Sequence, residues 1–208
     1  DIFDSMSESR AQKYANRHAG SLVERYLAHD DAFCRDLDGF FAAALWDRQR
    51  QVLHLASDPM GHKLLFFFHD AVRELVVFAA ELPALLGHPA VPRQLDESLL
   101  PVYLSRGSLE PPLTLLRGIS KLRAGERRSF GPNATEVERY WRPEIQSGPI
   151  DFDYWKAELR RQFLETTECL IGHAGRVGVF LSGGVDSSVV LAALRTVDQR
   201  DAIAFTLA

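Results

Sequence analysis

With 208 residues, of which 46% are hydrophobic and 25% charged, the chain has an ordinary globular composition and enough length for one large core or two small ones. The net charge is −4, and basic residues such as Arg10, Lys63, Arg93, Arg127 and Arg160 are spread along the chain, so neither nucleic acid nor an anionic membrane surface gains support as a partner. No apolar run approaches the ~20 residues that cross a bilayer, and two distant cysteines, Cys34 and Cys169, argue against a disulfide framework and make a reducing cytoplasm the default compartment.

The opening Asp1-Ile2-Phe3 is neither a signal peptide nor an initiator methionine, so the N-terminus is expected to be cut. From Ser7 to about Asp36 the pattern is helical, with Leu22, Val23, Tyr26 and Leu27 as its apolar stripe. After Gly39, the apolar runs Phe40 to Trp46 and Val52 to Ala56 flank a polar Asp47-Arg48-Gln49-Arg50 turn, and Leu64 to Phe68 and Leu75 to Ala79 repeat that design. Four antiparallel strands are expected there. Glu81 to Gly87 and Asp96 to Ser105 are predicted as helices, the second capped by Asp96 and burying Leu99, Leu100, Tyr103 and Leu104. A second strand set spans Arg117 to Leu122, Arg127 to Phe130 and Glu136 to Trp141, turning at Gly131-Pro132-Asn133.

Helices alternating with antiparallel hairpins make residues 1–143 an α+β domain. Residues 144–150, within a stretch holding two prolines and a glycine from Arg142 onward, form a linker. In 151–208, Asp153 is predicted to cap an amphipathic helix through about His173, with Leu159, Phe163 and Leu170 on one side. The continuous apolar run Val177 to Leu181 suits a buried parallel strand, followed by a glycine turn, a helix from about Ser187 to Arg195 and a strand from Ala202 to Leu207. This opens a doubly wound sheet, and two strands are fewer than such a sheet uses, so the C-terminus is also expected to be incomplete.

Chemistry concentrates in Ser182-Gly183-Gly184-Val185-Asp186-Ser187-Ser188, between that strand and that helix. Paired glycines let backbone approach an anion, N–H groups at the helix start point toward it, and the helix dipole favours negative charge. Asp186 is placed to hold Mg²⁺ on phosphates, while Ser182, Ser187 and Ser188 offer hydroxyls. No lysine follows the loop, which separates it from the common P-loop. An ordinary strand-to-helix turn with Asp186 in its first helical turn fits the same residues, although ligands of α/β folds bind after a buried strand.

Leu181 to Ser188 resembles the PP-loop of the ATP pyrophosphatases and, within them, of the asparagine synthetase family. Leu37-Asp38-Gly39-Phe40-Phe41-Ala42-Ala43-Ala44-Leu45-Trp46-Asp47 is similar to that family's Leu-Asn-Gly-Met-Phe-Ala-Phe-Ala-Leu-Trp-Asp. Ser57-Asp58-Pro59-Met60-Gly61-His62-Lys63-Leu64-Leu65-Phe66 is similar to its Arg-Asp-Arg-Leu-Gly-Ile-Lys-Pro-Leu-Tyr. Ala79 to Leu85 and Arg117 to Leu122 follow in the family's order, so the resemblance covers about Asp36 to Ala208.

The resemblance implies an N-terminal-nucleophile glutaminase domain, an α/β/β/α sandwich lacking its first segment, followed by the start of a Rossmann-like PP-loop synthetase domain. It implies ATP and Mg²⁺, small-molecule substrates (glutamine and aspartate or another carboxylate) and an acyl-adenylate route to an amide, with homodimerisation left open. Leu181, Ser182, Gly183, Gly184, Val185, Asp186, Ser187, Ser188 and Leu207 match ATP-binding positions, Asp186 the metal-holding one, and Asp58 the carboxylate that holds the amino group of glutamine. The family's nucleophile is an N-terminal cysteine, so no catalytic residue is assigned within the chain; Cys34 and Cys169 read as packed or neutral thiols. Ser57, Pro59 and Leu64 depart from the family's Arg, Arg and Pro. β-Lactam synthetases and lasso-peptide cyclases share the architecture without glutamine hydrolysis, and a non-catalytic nucleotide-binding module needs the loop alone.

Overall fold

The computed structural model describes residues 22–35, 37, 39–132, 134–145, 148, 151–172, 176–198 and 202–206. Residues 7–21 and Asp36 of the helical stretch expected from Ser7 to about Asp36, Asn133 of the predicted turn, His173 and Leu207 lie outside these residues. The chain divides into two compact units, Asp1–Glu144 and Ile145–Ala208.

Two hairpins of one design open the first unit. β1 (Ala42–Asp47) pairs antiparallel with β2 (Val52–Ser57), and β3 (Phe66–Asp70) with β4 (Leu75–Ala79). In the first turn Asp47 Oδ1 accepts from the N–H groups of Gln49 and Arg50 at 2.8 and 3.0 Å; in the second, Asp70 Oδ1 accepts from Val72 and Arg73 at 3.0 and 3.1 Å. A short side-chain acceptor thus satisfies turn donors that the ladder cannot reach. Each turn re-enters its strand through a left-handed residue, Gln51 at φ 56° and Glu74 at φ 50°.

The three strands of the second set form as expected and divide between two sheets. β5 (Ile119–Lys121) pairs with β3, whereas β6 (Glu126–Phe130) pairs with β2 and with β7 (Thr135–Arg139), giving sheets ordered β1-β2-β6-β7 and β4-β3-β5. Side-chain alternation decides this. Ile119 joins the Leu85 and Val91 cluster on the outer face of the smaller sheet, while Phe130 points between the sheets.

Three apolar clusters order the layers. Helix α1 (22–29) lays Tyr26 and Leu22 on Leu45 and Ala56, with Phe33 and Cys34 of the turn behind it. Leu55, Leu65, Phe67, Leu122 and Phe130 fill the space between the sheets. Leu85 of α2 (Leu82–Leu86) covers the far side with Phe66, Phe68 and Val77. The unit is therefore helix, sheet, sheet, helix, and inter-sheet burial of this kind is the main source of its stability.

The predicted helical stripe is narrower than expected, because Val23 is 49% and Leu27 79% exposed and only the Leu22–Tyr26 line, one helical turn apart, faces the sheet. Asp96 does cap its helix, accepting from Ser98 N at 3.2 Å, but the segment starts as a 3₁₀ turn (Glu97–Leu99) before α3 (Leu100–Arg106). The tighter period shifts the phase of the face. Leu104 is 79% exposed and Tyr103 also faces outward.

In the second unit Asp151, not Asp153, caps α4 (Phe152–Ile171), its side chain accepting from Tyr154 N at 3.0 Å; Asp153 lies in the first turn. A side-chain acceptor reaches the third N–H of the helix, which sets the cap three residues before Tyr154. β8 (Val177–Phe180) and β9 (Ala202–Phe205) pair in parallel, with α5 (Val185–Val197) between them in sequence and starting two residues before the expected Ser187. Leu159 and Leu170 are exposed and Phe163 half-buried, since the described strands offer α4 too little surface to cover a whole helical face. Trp46 and Trp155 are half-exposed.

Gly125 shows where the first unit tolerates no side chain. Its φ is +61°, and a Cβ there would stand 2.7 Å from the Trp141 carbonyl oxygen. Gly125→Ala is expected to lower stability by roughly 2–4 kcal/mol through strain and overlap, whereas Gly148→Ala, with nothing within 4 Å of the new carbon, should leave the melting temperature almost unchanged. Equal thermal melts for the two variants would contradict this account.

Candidate functional site

Asp58 follows the last residue of β2, and its backbone joins three strands' ends. Its N–H donates to Phe41 O at 2.9 Å, just before β1, and its carbonyl accepts from Gly61 N at 3.0 Å and Gly125 N at 2.9 Å. Beside it the Tyr140 hydroxyl donates to Ser57 O. Gly61, at φ +67°, packs against the Ala124 turn, where a Cβ would stand 3.2 Å from the Ala124 Cβ.

The Asp58 side chain is turned into its own loop. Oδ1 accepts from Met60 N at 3.1 Å and His62 N at 3.0 Å, Oδ2 from Lys63 N at 2.9 Å, and the His62 Nδ1 stands 3.2 Å from Oδ1. Burial acts first and raises the pKa, but the Lys63 and His62 amides, the imidazole and the Met60 amide together outweigh it and bring the net value down. The carboxylate is thus held ionised at 0% exposure of its residue. Oδ2, with one hydrogen bond, keeps acceptor capacity for a cationic group.

Behind this loop the outer face of the larger sheet carries a polar cluster. His54 Nδ1 lies 2.9 Å from Ser129 Oγ, and Arg127 reaches Ser129 Oγ at 2.9 Å and Glu138 at 2.9 Å. Burial, followed by the Arg127 charge, lowers the His54 pKa. Burial pushes the Cys34 thiol up to about 12, leaving it neutral at physiological pH; Cys169 is exposed.

The glycine loop of the second unit joins β8 to α5. Leu181 N continues the parallel pairing by donating to Phe205 O at 2.7 Å. Gly183 takes φ +80° with open space where a Cβ would stand, and Gly184 caps α5. Ser187 Oγ accepts from Ser182 N at 3.2 Å and lies 3.1 Å from Ser182 Oγ, while Ser188 Oγ donates to Gly184 O at 2.8 Å. These bonds gather Ser182 to Ser188 into one turn. The first N–H groups of a 13-residue helix have no acceptor within it and face outward with the positive end of its dipole. Asp186, exposed in that first turn, sits beside them. The arrangement suits a phosphate group with a divalent cation.

Each predicted site residue within the described set therefore lies in one of two places: Asp58 in the first unit, and Leu181 to Ser188 in the second. His62 is not singled out from the sequence, which leaves its contact with Asp58 unseen there. The signal was present in the motif, where His62 stands at the family's isoleucine.

Residues 5–141 match the family model of the glutamine amidotransferase domain. The chain belongs to that family. Residues 158–208, following the amidotransferase domain, match the asparagine synthase model. Among similar proteins, asparagine synthetase (glutamine-hydrolyzing) 3 of Bacillus subtilis (strain 168) is 30% identical over 172 residues, covering 82% of this chain and 28% of that protein. Asparagine synthetase (glutamine-hydrolyzing) 2 of the same strain is 28% identical over 185 residues, 81% of this chain and 24% of that protein. Amidase chry2 of Gibberella zeae is 30% identical over 177 residues, 81% of this chain and 25% of that protein. The chain thus spans between 24% and 28% of the length of these curated relatives. Among the described residues no helix is long and apolar enough to cross a membrane.

The lowered Asp58 pKa sets a pH dependence for the amidotransferase domain. A carboxyl whose folded pKa lies below its unfolded value, ~3.9, adds stability above that value and loses it as pH falls through the folded pKa. Asp58→Asn should be less stable than the parent by about 1–3 kcal/mol at pH 7, with the gap closing below pH ~4. Melting temperatures from pH 7 to 3 read this, and a constant gap would contradict it.

Proposed function

We propose that the chain belongs to an ATP-dependent, amide-forming ligase of the asparagine synthase (glutamine-hydrolysing) type. In this reading residues 1–143 form an N-terminal-nucleophile glutaminase domain, 144–150 a linker and 151–208 the start of a Rossmann-like PP-loop domain. The observation that carries it is the glycine loop between a parallel strand and α5, on the same chain as the amidotransferase match. Either feature alone has many uses; together they call for a nitrogen source and a nucleotide-activated acceptor.

The loop residues divide the work. Gly183 and Gly184 admit phosphate oxygens to the first N–H groups of α5, Ser182, Ser187 and Ser188 supply hydroxyls, Leu181 and Leu207 match the family's remaining ATP-binding positions, and Asp186 would hold Mg²⁺. When bound, that ion offsets negative charge growing on the phosphates. An aspartate carboxylate is a poor electrophile, so one of its oxygens attacks the α-phosphorus of ATP and expels pyrophosphate. Ammonia then attacks the acyl carbon of the resulting aspartyl-adenylate and expels AMP, giving asparagine. Asp58 holds the ammonium group of the glutamine that supplies the nitrogen; its loop amides keep it charged for that task.

In the full-length protein, aspartate-dependent release of AMP and pyrophosphate is expected, with asparagine formed from either glutamine or ammonium. Asp186→Ala should lower AMP release at least ~100-fold while leaving glutamine hydrolysis in place. AMP release unchanged by the substitution would remove Asp186 from the site, and no aspartate-dependent AMP from the parent would remove the asparagine-forming reading.

A further inference from the structure

His62 occupies the space in front of the carboxylate assigned above to the glutamine amino group. Its Nδ1 lies 3.2 Å from Asp58 Oδ1, the Asp58 side chain is 1% exposed, and the His62 side chain is 48% exposed. The Phe40 ring stands against the imidazole with centroids 4.2 Å apart. The other partners of the carboxylate are the backbone amides of Met60, His62 and Lys63, which the loop fixes in place. Among the described residues the imidazole is thus the one side chain bonded to Asp58, and a side chain can leave by rotating about its own bonds while a loop amide cannot.

We infer that His62 is a plug over Asp58: its imidazole takes the position that the ammonium group of an amino-acid ligand would use, and it swings aside when such a ligand binds. The inference rests on the reading of Asp58 as the amino-group holder. Its physical basis is competition for one acceptor. The Asp58 side chain is 1% exposed, and its Oδ1 already takes two amides and the imidazole while Oδ2 takes one amide. An ammonium that reaches Oδ1 therefore replaces a donor there, and the imidazole is the donor that can move. The cation nearest in the loop, Lys63, contributes its amide to Asp58 and leaves its side chain exposed. His62 is then a positioning residue that sets how much the site gains from an amino group.

The test compares two ligands on the full-length protein. Glutamine and 4-carbamoylbutanoate, the same molecule without the amino group, are titrated calorimetrically against the parent, His62→Leu and His62→Asn. Leucine removes the plug, and glutamine should bind about tenfold more tightly, the worth of a hydrogen bond to a charged group, with the analogue unchanged. Asparagine places an amide nitrogen near the former Nδ1 and should stay close to the parent. Melting temperatures establish that both variants fold. A preference for glutamine over the analogue that is the same in parent and His62→Leu overturns the plug and leaves Asp58 as the amino-group holder. No preference in any of the three proteins overturns the role of Asp58 itself.

Discussion

The capture of the Asp58 carboxylate by its own loop is the constraint on which the first unit depends. A buried carboxylate without donors would be too costly to keep ionised, and here three amides and an imidazole surround it. The same residue ties the end of β2 to the approach of β1 through Phe41 and to the turn before β6 through Gly125. One polar residue thereby fixes where two strand pairs end and where the chain passes from one sheet to the other. The close contacts at Gly61 and Gly125 follow from that crowding.

Charge is handled the same way elsewhere in the unit. Glu126, 1% exposed between the sheets, meets Arg128 at 3.0 Å and Arg123 at 3.4 Å, and the Arg128 guanidinium lies 4.7 Å over the Phe67 ring. On the opposite face Arg127 pairs with Glu138. Alternation along β6 thus sends one arginine into the sandwich and the next toward the helix layer, each with an acidic partner.

Much of this was legible in the sequence because its signals are local. Both hairpins, the Gly87 end of α2, the Asp96 cap and the strand, glycine loop and helix of the second unit depend on residues a few positions apart. Sheet membership was not legible. Whether β5 joins β3 or β6 depends on which face Ile119 and Phe130 bury, a choice settled by contacts between distant segments. The exposed Leu27 and Leu104 show the same limit: apolar periodicity says which residues share a face, and the neighbours decide whether that face is covered. Asp58 and the loop from Leu181 to Ser188 were found by motif, whereas His62 was passed over because a departure from the family's isoleucine does not say what the histidine meets until its partner is located.

In the proposed reaction an amidotransferase domain precedes a site that activates a carboxylate with ATP. That account fixes the path of a single atom: a carboxylate oxygen of aspartate becomes bonded to the α-phosphorus and leaves with AMP. The most direct measurement gives the full-length protein ATP, a nitrogen donor and aspartate labelled with oxygen-18 in its side-chain carboxylate, then weighs the AMP by mass spectrometry. Label carried into AMP is the result expected. Unlabelled AMP formed alongside product, or ADP and phosphate in place of AMP, would contradict the account.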